Sequence, residues 1–309
     1  MSRYWVIAPY HANKPDVWER VWKFDLARGV ISIGWRQLGD VSNLTEEQLL
    51  DLIGRTYPEY SPPATKLSCR MLYKFFHSVE PGDIVIARRG TKRLAAIGTV
   101  KRPAYHDPTK TLDIYGPGQG YSNHLDVEWE DIPRDKAYPT PVFGMQTIYD
   151  IPQAKFRALT EGDELGSSSE EGVQDRAEFV LEKYLEEFIV SNFDAIFKKK
   201  LVLFSDPVEG SLGQQFETDV GSIDILAQDR DSNAFVVIEL KKGRESDKVV
   251  GQVLRYMGWV AENMCQPGQE VRGIIICKEP DARLSYALKM VTNVSIRYYR
   301  IDFRLLDQP

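Results

Sequence analysis

The apolar and polar positions in the first half of the chain change repeatedly between short runs and helical spacing. Short apolar runs, which are typical of strands, occur in YWVIAPY, VISIGW, PGDIVIARRG, RLAAIGTVKRPAY and HLDVEWEDI. Helical spacing occurs in KPDVWERVWKFDLARG, NLTEEQLLDLIGRTY and CRMLYKFFHSV. Thr45 and Gln48 predict a capping box at the start of the second helix. Short strands with glycine turns and a few helices predict a small, partly open β-barrel.

A polar segment interrupts this pattern between residues 160 and 175. The stretch TEGDELGSSSEEGVQD is acidic, rich in Ser and Gly and poor in large apolar residues, so it can bury little surface. We therefore predict a first domain over residues 1–159, a linker over 160–175 and a second domain over 176–309.

The second domain again mixes helices and strands. An amphipathic first helix is predicted over RAEFVLEKYLEEFIVSNFDAIF, with an apolar face made by Phe179, Tyr184, Leu185, Phe188, Ile189 and Phe193. GSIDILAQD and AFVVIELKK predict an antiparallel hairpin around the turn DSN, and GQVLRYMGWV predicts a helix. The fold class is therefore mixed α/β, of the α+β kind, in both halves.

Composition narrows the class of protein. The 309 residues are 43% hydrophobic and 27% charged, as in soluble globular proteins. No apolar run approaches the ~18 residues of a membrane span, and MSRYWVIAPY lacks the features of a signal peptide, so we expect a cytoplasmic protein with no membrane partner. Cys69, Cys265 and Cys277 form no CxxC pair, which predicts buried thiols rather than zinc or disulfides.

The net charge of −6 argues against a protein that coats nucleic acid indiscriminately. It permits local basic patches, because phosphate binding depends on the field at the site. Basic residues cluster at 88–93, at 198–200 and around Lys241, Lys242 and Arg244. Taken singly, each cluster is interpreted as a solvated surface.

Two carboxylates are expected to meet on the predicted hairpin. If its strands pair around QDRDSN, Asp224 comes near Glu239, and adjacent carboxylates repel unless a cation lies between them. A hard divalent ion held by carboxylates, a backbone carbonyl and waters suits this position. Lys241 projects from the same strand face as Glu239, where it can orient or deprotonate a water and balance phosphate charge.

The order Asp, gap, Glu-x-Lys resembles the PD-(D/E)xK nuclease superfamily, with Ile223 in place of the eponymous Pro. TDVGSIDILAQD, VVIELKKG and GQVLRYMGWV, in this order, resemble the carboxy-terminal catalytic domain of the NucS (EndoMS) family over about residues 175–280. NucS proteins typically carry Arg where this chain has Ser222, and the first half does not resemble their dimerisation domain. Catalysis is therefore carried over more safely than substrate choice.

The resemblance implies a metal-dependent endodeoxyribonuclease that uses Mg²⁺ or Mn²⁺. It implies a metal shell of Asp224, Glu239, the Leu240 carbonyl and an acidic residue of the first helix, which is Glu186 or, one turn earlier, Glu182. The catalytic residues are then Asp224, Glu239 and Lys241. The QxxxY motif and the second lysine would position DNA, through Gln252, Tyr256 and Lys242. Solvated glutamates on the first helix and a packing role for Tyr256 are the alternatives.

In the first half, GVISIGWRQLGDVS, VEPGDIVIARRGTKRLAAIGTV, Tyr105 and HLDVEW resemble the PUA-like superfamily, specifically its EVE-like and McrB-N-like readers, over about residues 4–150. The resemblance implies an aromatic pocket for a base flipped out of double-stranded DNA. The candidate pocket residues are Trp35, Tyr105, His124 and Trp129. The alternative to a pocket role is packing in the core for the two tryptophans and a structural role for His124. The candidate phosphate contacts are Arg88, Arg89, Lys92 and Arg93.

Together these features predict an endonuclease that hydrolyses phosphodiester bonds and is directed to modified-base DNA, as in restriction-like defence. A homodimer is expected, because cleavage of both strands requires two sites. One alternative is a NucS-like repair endonuclease acting on mismatched or branched DNA. The other is a non-catalytic nucleic-acid-binding module.

Overall fold

The computed structural model describes residues 2–114, 116, 119–131, 135–160, 184–206, 210–241 and 246–300. Its contacts divide the chain into two compact units, Met1–Gly166 with Phe204–Ser222, and Ser167–Leu203 with Ile223–Pro309. The predicted linker lies almost wholly outside the described residues, so the domain bounds 1–159, 160–175 and 176–309 stay a prediction. The segment Phe204–Ser222, expected in the second domain, makes its contacts in the first unit.

The first unit is built on one eight-stranded sheet flanked by helices. Its helices are α1 (Pro15–Arg28), α2 (Glu46–Thr56), α3 (Pro62–His77) and α4 (Gln153–Thr160). Its sheet strands are β1 (Tyr4–Ile7), β2 (Val30–Ile33), β3 (Ile84–Arg89), β4 (Arg93–Val100), β5 (Tyr105–His106), β6 (Asn123–Trp129), β7 (Lys136–Ala137) and β8 (Ile148–Ile151). The strand order is β2-β6-β4-β3-β1-β8, with β5 on β6 and β7 on β4.

Local sequence explains where these helices begin and end. The capping box predicted for α2 is present, with the Thr45 side chain accepting from the Gln48 N–H and the Gln48 side chain accepting from the Thr45 N–H. Helix α1 ends at Gly29, whose φ of 60° is left-handed, a conformation that glycine adopts without steric cost. Helix α3 begins earlier than predicted, because Ser61 caps it and the following prolines suit a first turn.

The second unit contains a sheet whose central strands are buried. Its helices are α5, described over 184–191, α6 (Phe193–Ile196), α7 (Ser246–Asn263) and α8 (Ala282–Leu288). Its strands are β9 (Leu201–Leu203), β13 (Gly221–Asp229), β14 (Phe235–Leu240), β15 (Val271–Cys277) and β16 (Val294–Tyr298). The intervening β10 (Ser205–Asp206), β11 (Gly210–Ser211) and β12 (Gln214–Thr218) lie in the segment assigned to the first unit.

The directions of the strands in the second unit determine which strand ends lie at the same edge of the sheet. Strand β13 pairs antiparallel with β14 and β9, confirming the predicted hairpin, whereas β14, β15 and β16 are parallel neighbours. Because parallel strands share one carboxyl edge, the residues after β14 and after β15 emerge together. Both units combine helices with sheets, so the predicted α+β class is confirmed.

The predicted apolar face of the first helix of the second unit is partly wrong. Ile189 and Phe193 are buried and pack into the core with Leu185, but Tyr184 and Phe188 are 50% and 58% exposed. Leu185 and Ile189 are four positions apart, so they share one helix face. Tyr184 and Phe188 each come one position earlier and are rotated away from that face by about 100°. Within the described residues, no helix combines the length and apolar character that a membrane crossing requires.

Candidate active site

The carboxylates of Asp224 and Glu239 lie across the hairpin of β13 and β14. The strand register pairs Ile225 with Ile238, and one further step places Asp224 opposite Glu239. The Asp224 N–H donates to Glu239 Oε1 at 3.1 Å, and the Leu240 N–H donates to Asp224 Oδ2 at 2.8 Å. Each carboxylate therefore accepts a backbone hydrogen bond from the strand that carries the other, and the structure brings together the pair that the sequence predicts.

Both carboxylates are removed from water. Asp224 is 7% exposed and Glu239 is 1% exposed. A buried carboxylate is costly unless hydrogen bonds or a cation compensate it. The two backbone donors provide part of this compensation, and a third donor comes from helix α7.

Helix α7 supplies that donor through Gln252. Its Nε2 donates to Glu239 Oε2 at 3.0 Å and to Tyr256 Oη at 3.3 Å. Tyr256 is 3% exposed, and its burial, reinforced by the charge of Glu239, raises the pKa of its hydroxyl. The two residues of the QxxxY motif thus meet on one helix face, and Tyr256 reaches the carboxylates through Gln252.

Lys241 emerges at the carboxyl edge of the sheet. Its N–H donates to the Ile276 carbonyl at 2.9 Å, and its Nζ donates to Asp281 Oδ2 at 3.1 Å. Nearby, burial is the main cause that raises the pKa of the Cys277 thiol, with the Lys241 charge lowering it and the Asp281 charge raising it. Asp281 was not among the residues predicted from the sequence, although an Asp between a buried strand and ARLSYAL is a signal for a helix N-cap.

Three further residues of this unit were predicted to belong to the site, namely Glu186, Glu182 and Lys242. Glu186 on α5 is 5% exposed, so it is not a solvated surface residue. Over the described ranges no group of three or more His, Cys, Asp or Glu is arranged to hold a metal ion, and the place of Glu186 in a metal shell stays a prediction. The predicted residues Glu182 and Lys242 lie outside the described residues.

The donor set still fits a hard divalent cation. Mg²⁺ is usually held by one or two carboxylates, with waters and substrate phosphate oxygens completing the shell. The carboxylates of Asp224 and Glu239 offer buried, hard oxygen atoms, and each is held by a backbone N–H of the opposite strand. Their chemistry therefore suits Mg²⁺ or Mn²⁺ together with a phosphate group.

The first unit contains a cavity of about 480 Å³. Its walls include five aromatic residues, Tyr10, Trp35, Tyr57, Tyr60 and Tyr121, beside polar and charged side chains such as those of Arg36, Gln37, Glu59 and Arg88. The rings of Tyr57 and Tyr60 are stacked, with centroids 4.9 Å apart, and those of Tyr10 and Tyr121 lie 5.7 Å apart. Burial raises the pKa of the Tyr57 hydroxyl. The cavity therefore combines aromatic side chains with polar and charged groups.

Of the four predicted pocket residues, all within the described ranges, Trp35 alone lines this cavity. Trp35 follows β2 with a left-handed φ of 61°, which turns the chain at the cavity wall. Trp129 packs edge-on against Trp22, and the Tyr105 hydroxyl donates to Asp126 Oδ1 at 2.7 Å. Trp129 and Tyr105 are therefore not among the residues that line this cavity.

His124 is also placed outside the cavity. It is 1% exposed, its Nδ1 is 2.9 Å from Ser32 Oγ, and its Nε2 is 3.2 Å from the Asp107 carbonyl. Burial lowers the pKa of its imidazole. Both ring nitrogens are therefore in contact with other groups of the protein, as the structural alternative for His124 predicts.

The predicted phosphate contacts are largely engaged within the protein. Arg88 is 3% exposed and donates to the carbonyls of Gly90, Met145 and Gln146, so it does not lie on the solvated surface, and its contact with a phosphate stays a prediction. Arg89 pairs with Glu19, and Arg93 pairs with Asp135. Lys92 is partly exposed. The basic run is thus divided between the cavity wall and surface ion pairs.

Comparisons with known proteins separate the two parts of the chain. Residues 5–152 match a domain of unknown function, DUF8426. No curated protein matches the chain.

Three solved structures match the chain with low sequence identity and low TM-scores. The EndoMS–dsDNA complex is 15% identical with a TM-score of 0.31, over 68% of this chain and 62% of that chain. A repair endonuclease from Pyrococcus abyssi is 12% identical with a TM-score of 0.31, over 84% and 97%. EndoMS in its apo form is 14% identical with a TM-score of 0.27, over 67% and 61%. This chain thus spans less than two thirds of the first of these proteins.

The carboxy-terminal region has the more specific match. Residues 207–305 match the family described as the Endonuclease NucS C-terminal domain. This range contains the carboxylate pair, Lys241, both QxxxY residues and Asp281. About a third of the chain, including every described side chain placed at the carboxylate pair, is therefore similar to the C-terminal domain of endonuclease NucS.

Proposed function

We propose that the protein is a metal-dependent endodeoxyribonuclease whose active site contains Asp224, Glu239 and Lys241. The observation that carries the proposal is the buried, hydrogen-bonded pair Asp224–Glu239, with Lys241 two residues further on. This pair lies within the residues that match the NucS C-terminal domain. Burying two carboxylates together destabilises a fold unless they bind a cation. The phosphate oxygens of a phosphodiester substrate are further ligands that such a cation prefers.

Each residue of the proposed active site has a separate role in metal binding or in orienting a ligand. The carboxylates of Asp224 and Glu239, with the Leu240 carbonyl, are the proposed ligands of Mg²⁺ or Mn²⁺. When bound, the ion polarises the phosphate and activates water. Gln252 orients Glu239 through its 3.0 Å hydrogen bond, and Tyr256 supports Gln252 from the buried side of α7. A contact of Gln252 or Lys242 with the DNA strand stays a proposal.

Lys241 contributes positive charge where negative charge develops during hydrolysis. Its ammonium group orients the attacking water and stabilises the phosphate oxygens. Glu186 or, one turn earlier, Glu182 remains the proposed acidic residue of the first helix that completes the metal shell. Cleavage of both strands requires two sites, so we also propose a homodimer that acts in the cytoplasm.

The cavity of the first unit is the proposed reader of DNA. Its volume of about 480 Å³ falls within the ~300–1,000 Å³ typical of sites for small planar ligands. Aromatic walls replace the stacking that a base loses when it leaves the duplex, and polar groups at the walls replace its pairing. We propose that a modified base, flipped from double-stranded DNA, enters between Trp35, Tyr57 and Tyr121.

A second candidate is repair cleavage of mismatched or branched DNA. The match of residues 207–305 to the NucS family favours it. In that case, the first unit would read DNA structure or serve dimerisation instead of reading a modification. A non-catalytic nucleic-acid-binding module is the third candidate.

A cleavage assay separates the three candidates. Matched duplexes that carry cytosine or a modified cytosine, and a mismatched duplex, are incubated with Mg²⁺ or Mn²⁺, and with a chelator as control. We expect metal-dependent cleavage that is fastest on a modified duplex. Faster cleavage of the mismatched duplex than of every modified duplex would contradict the modified-base proposal and support repair cleavage instead.

A variant pair tests the active site itself. Glu239→Ala is expected to lower the cleavage rate at least ~100-fold, because the metal loses a ligand. Glu270→Ala is the matched control, since Glu270 is an exposed glutamate of the same unit that pairs with Arg272. Equal cleavage by Glu239→Ala and the parent protein, or no metal-dependent cleavage by the parent, would remove the assigned site.

A further inference from the structure

Asp281 makes contacts with two different elements through its two oxygens. Oδ1 accepts from the N–H groups of Arg283 and Leu284, at 2.8 and 3.2 Å, which caps helix α8. Oδ2 accepts from Lys241 Nζ at 3.1 Å. The helix cap fixes the orientation of the carboxylate, so its second oxygen is held in place for the lysine.

The ion pair is partly shielded from solvent. The side chains of Lys241 and Asp281 are 11% and 23% exposed. Charge-assisted hydrogen bonds are stronger in such surroundings than at a free surface. Lys241 is a flexible four-carbon side chain, and this contact restricts its ammonium group to one position.

The position of this contact has a consequence for the carboxylate pair. Lys241 lies two residues after Glu239, and a mobile ammonium group there would be drawn to the charges of Asp224 and Glu239. A lysine seated on those carboxylates would compete with a divalent cation. Asp281, at the start of α8, gives the lysine a different partner at the carboxyl edge of the sheet.

We infer that Asp281 is a positioning residue for cleavage, which acts by holding the Lys241 ammonium group in its working place. The inference rests on the proposed nuclease function and adds to it a residue outside the Asp, Glu-x-Lys and QxxxY motifs. Asp281 touches neither the scissile phosphate nor the metal in this role. Its effect on the reaction passes entirely through Lys241.

Asp281→Asn separates this role from the helix cap. Asn is about as good an N-cap as Asp, and its side-chain oxygen can still accept from Arg283 and Leu284. Its amide group cannot accept a hydrogen bond from Lys241. We expect the kcat of metal-dependent DNA cleavage to fall ~10- to 100-fold, the range expected for a misplaced catalytic group, while KM changes less than about twofold and the melting temperature is unchanged.

Asp229→Asn is the matched control. Asp229 also uses Oδ1 to accept two backbone N–H groups, from Asp231 and Ser232, and Oδ2 to pair with a cation, Arg272. It lies at the hairpin turn, at the opposite end of β13 from Asp224. Its substitution is expected to leave kcat at the parent value.

A double-mutant cycle provides the decisive readout. If Asp281 acts through Lys241, the variant Lys241→Ala/Asp281→Asn cleaves at the rate of Lys241→Ala alone. A further ~10-fold loss in the double variant, or a parent-like kcat in Asp281→Asn, would overturn the inference while the nuclease function stands. If the Asn variant is unstable, Asp281→Ser, which retains a capping hydroxyl, is measured in the same way. A parent protein without cleavage would remove the proposed function and this inference with it.

Discussion

Gln146 and Glu217 are joined by two hydrogen bonds across 71 residues of sequence. Gln146 Nε2 donates to the Glu217 carbonyl at 2.6 Å, and the Glu217 N–H donates to Gln146 Oε1 at 3.1 Å. A side chain thus satisfies both backbone groups of Glu217, as a neighbouring strand would. This contact anchors the segment Phe204–Ser222 within the first unit.

Gln146→Ala is expected to destabilise the first unit. Gln146 is 2% exposed, and its removal leaves a buried N–H and a buried carbonyl without these partners, at a cost of about 2–3 kcal/mol. Urea unfolding followed by tryptophan fluorescence measures this loss, since Trp5, Trp18, Trp22, Trp35 and Trp129 all lie in this unit. Gln153→Ala, at an exposed glutamine of the same unit, should leave the free energy of unfolding unchanged.

The pair formed by Lys155 and Glu217 predicts a pH-dependent loss of stability. Lys155 Nζ lies 2.5 Å from Glu217 Oε1, and the Glu217 side chain is 6% exposed. Burial raises the pKa of Glu217 and the Lys155 charge lowers it. Lys155→Met leaves a buried carboxylate without its counter-ion, so we expect a loss of about 3 kcal/mol at pH 8.

The loss should shrink at acidic pH, because a protonated Glu217 needs no counter-ion. The second substitution Glu217→Gln, made in the Lys155→Met background, should restore most of the free energy of unfolding at pH 8. Urea unfolding at both pH values measures these differences. An equal loss at pH 5 and pH 8 would contradict the electrostatic explanation.

Asp25 predicts a second pH dependence with a defined window. Burial raises the pKa of this fully buried carboxyl group from 3.8 to about 7, against the lowering effect of its hydrogen bonds with Ser32. Between these values the folded state holds a proton that the unfolded state has lost. The contribution of Asp25 to the free energy of unfolding therefore falls by about 1.4 kcal/mol per pH unit from pH ~4 to ~7, and levels off above.

Asp25→Asn removes this titration. The free energy of unfolding of the parent minus that of the variant should fall as the pH rises from 5 to 7. Asp40→Asn is the control, because hydrogen bonds from Ser42 lower the pKa of Asp40 and place its window below pH 4. A parent-minus-Asp25→Asn difference that stays constant from pH 5 to 8 would show that Asp25 is charged in the folded protein.

The carboxylate pair could be predicted because its partners are close in sequence. Only fifteen residues separate Asp224 and Glu239, and a tight turn between two strands fixes the register that brings them together. The capping box of α2 was predictable for the same reason, since it spans three residues. Local pattern therefore determined most elements and the core of the candidate site.

The cavity could not be predicted, because distant segments form its walls. Tyr10 follows β1, Tyr57 and Tyr60 lie between α2 and α3, and Tyr121 precedes β6. No periodicity relates these positions. The burial of Arg88 could not be predicted either, because a basic run indicates a solvated surface, whereas the carbonyls around it come from residues 57 and 58 positions away as well as from the adjacent turn.

The aromatic cavity gives the final prediction. Tyr121→Ala removes one ring from the wall near Gly34 and Tyr10. We expect about 5- to 150-fold weaker binding of a duplex that carries the preferred modified base, since base–aromatic stacking contributes about 1–3 kcal/mol. Fluorescence anisotropy with Ca²⁺ in place of Mg²⁺ measures this binding without cleavage. Tyr105→Ala removes a tyrosine outside the cavity and should weaken modified and unmodified duplexes equally. The same equal weakening by Tyr121→Ala would show that the cavity does not read the base.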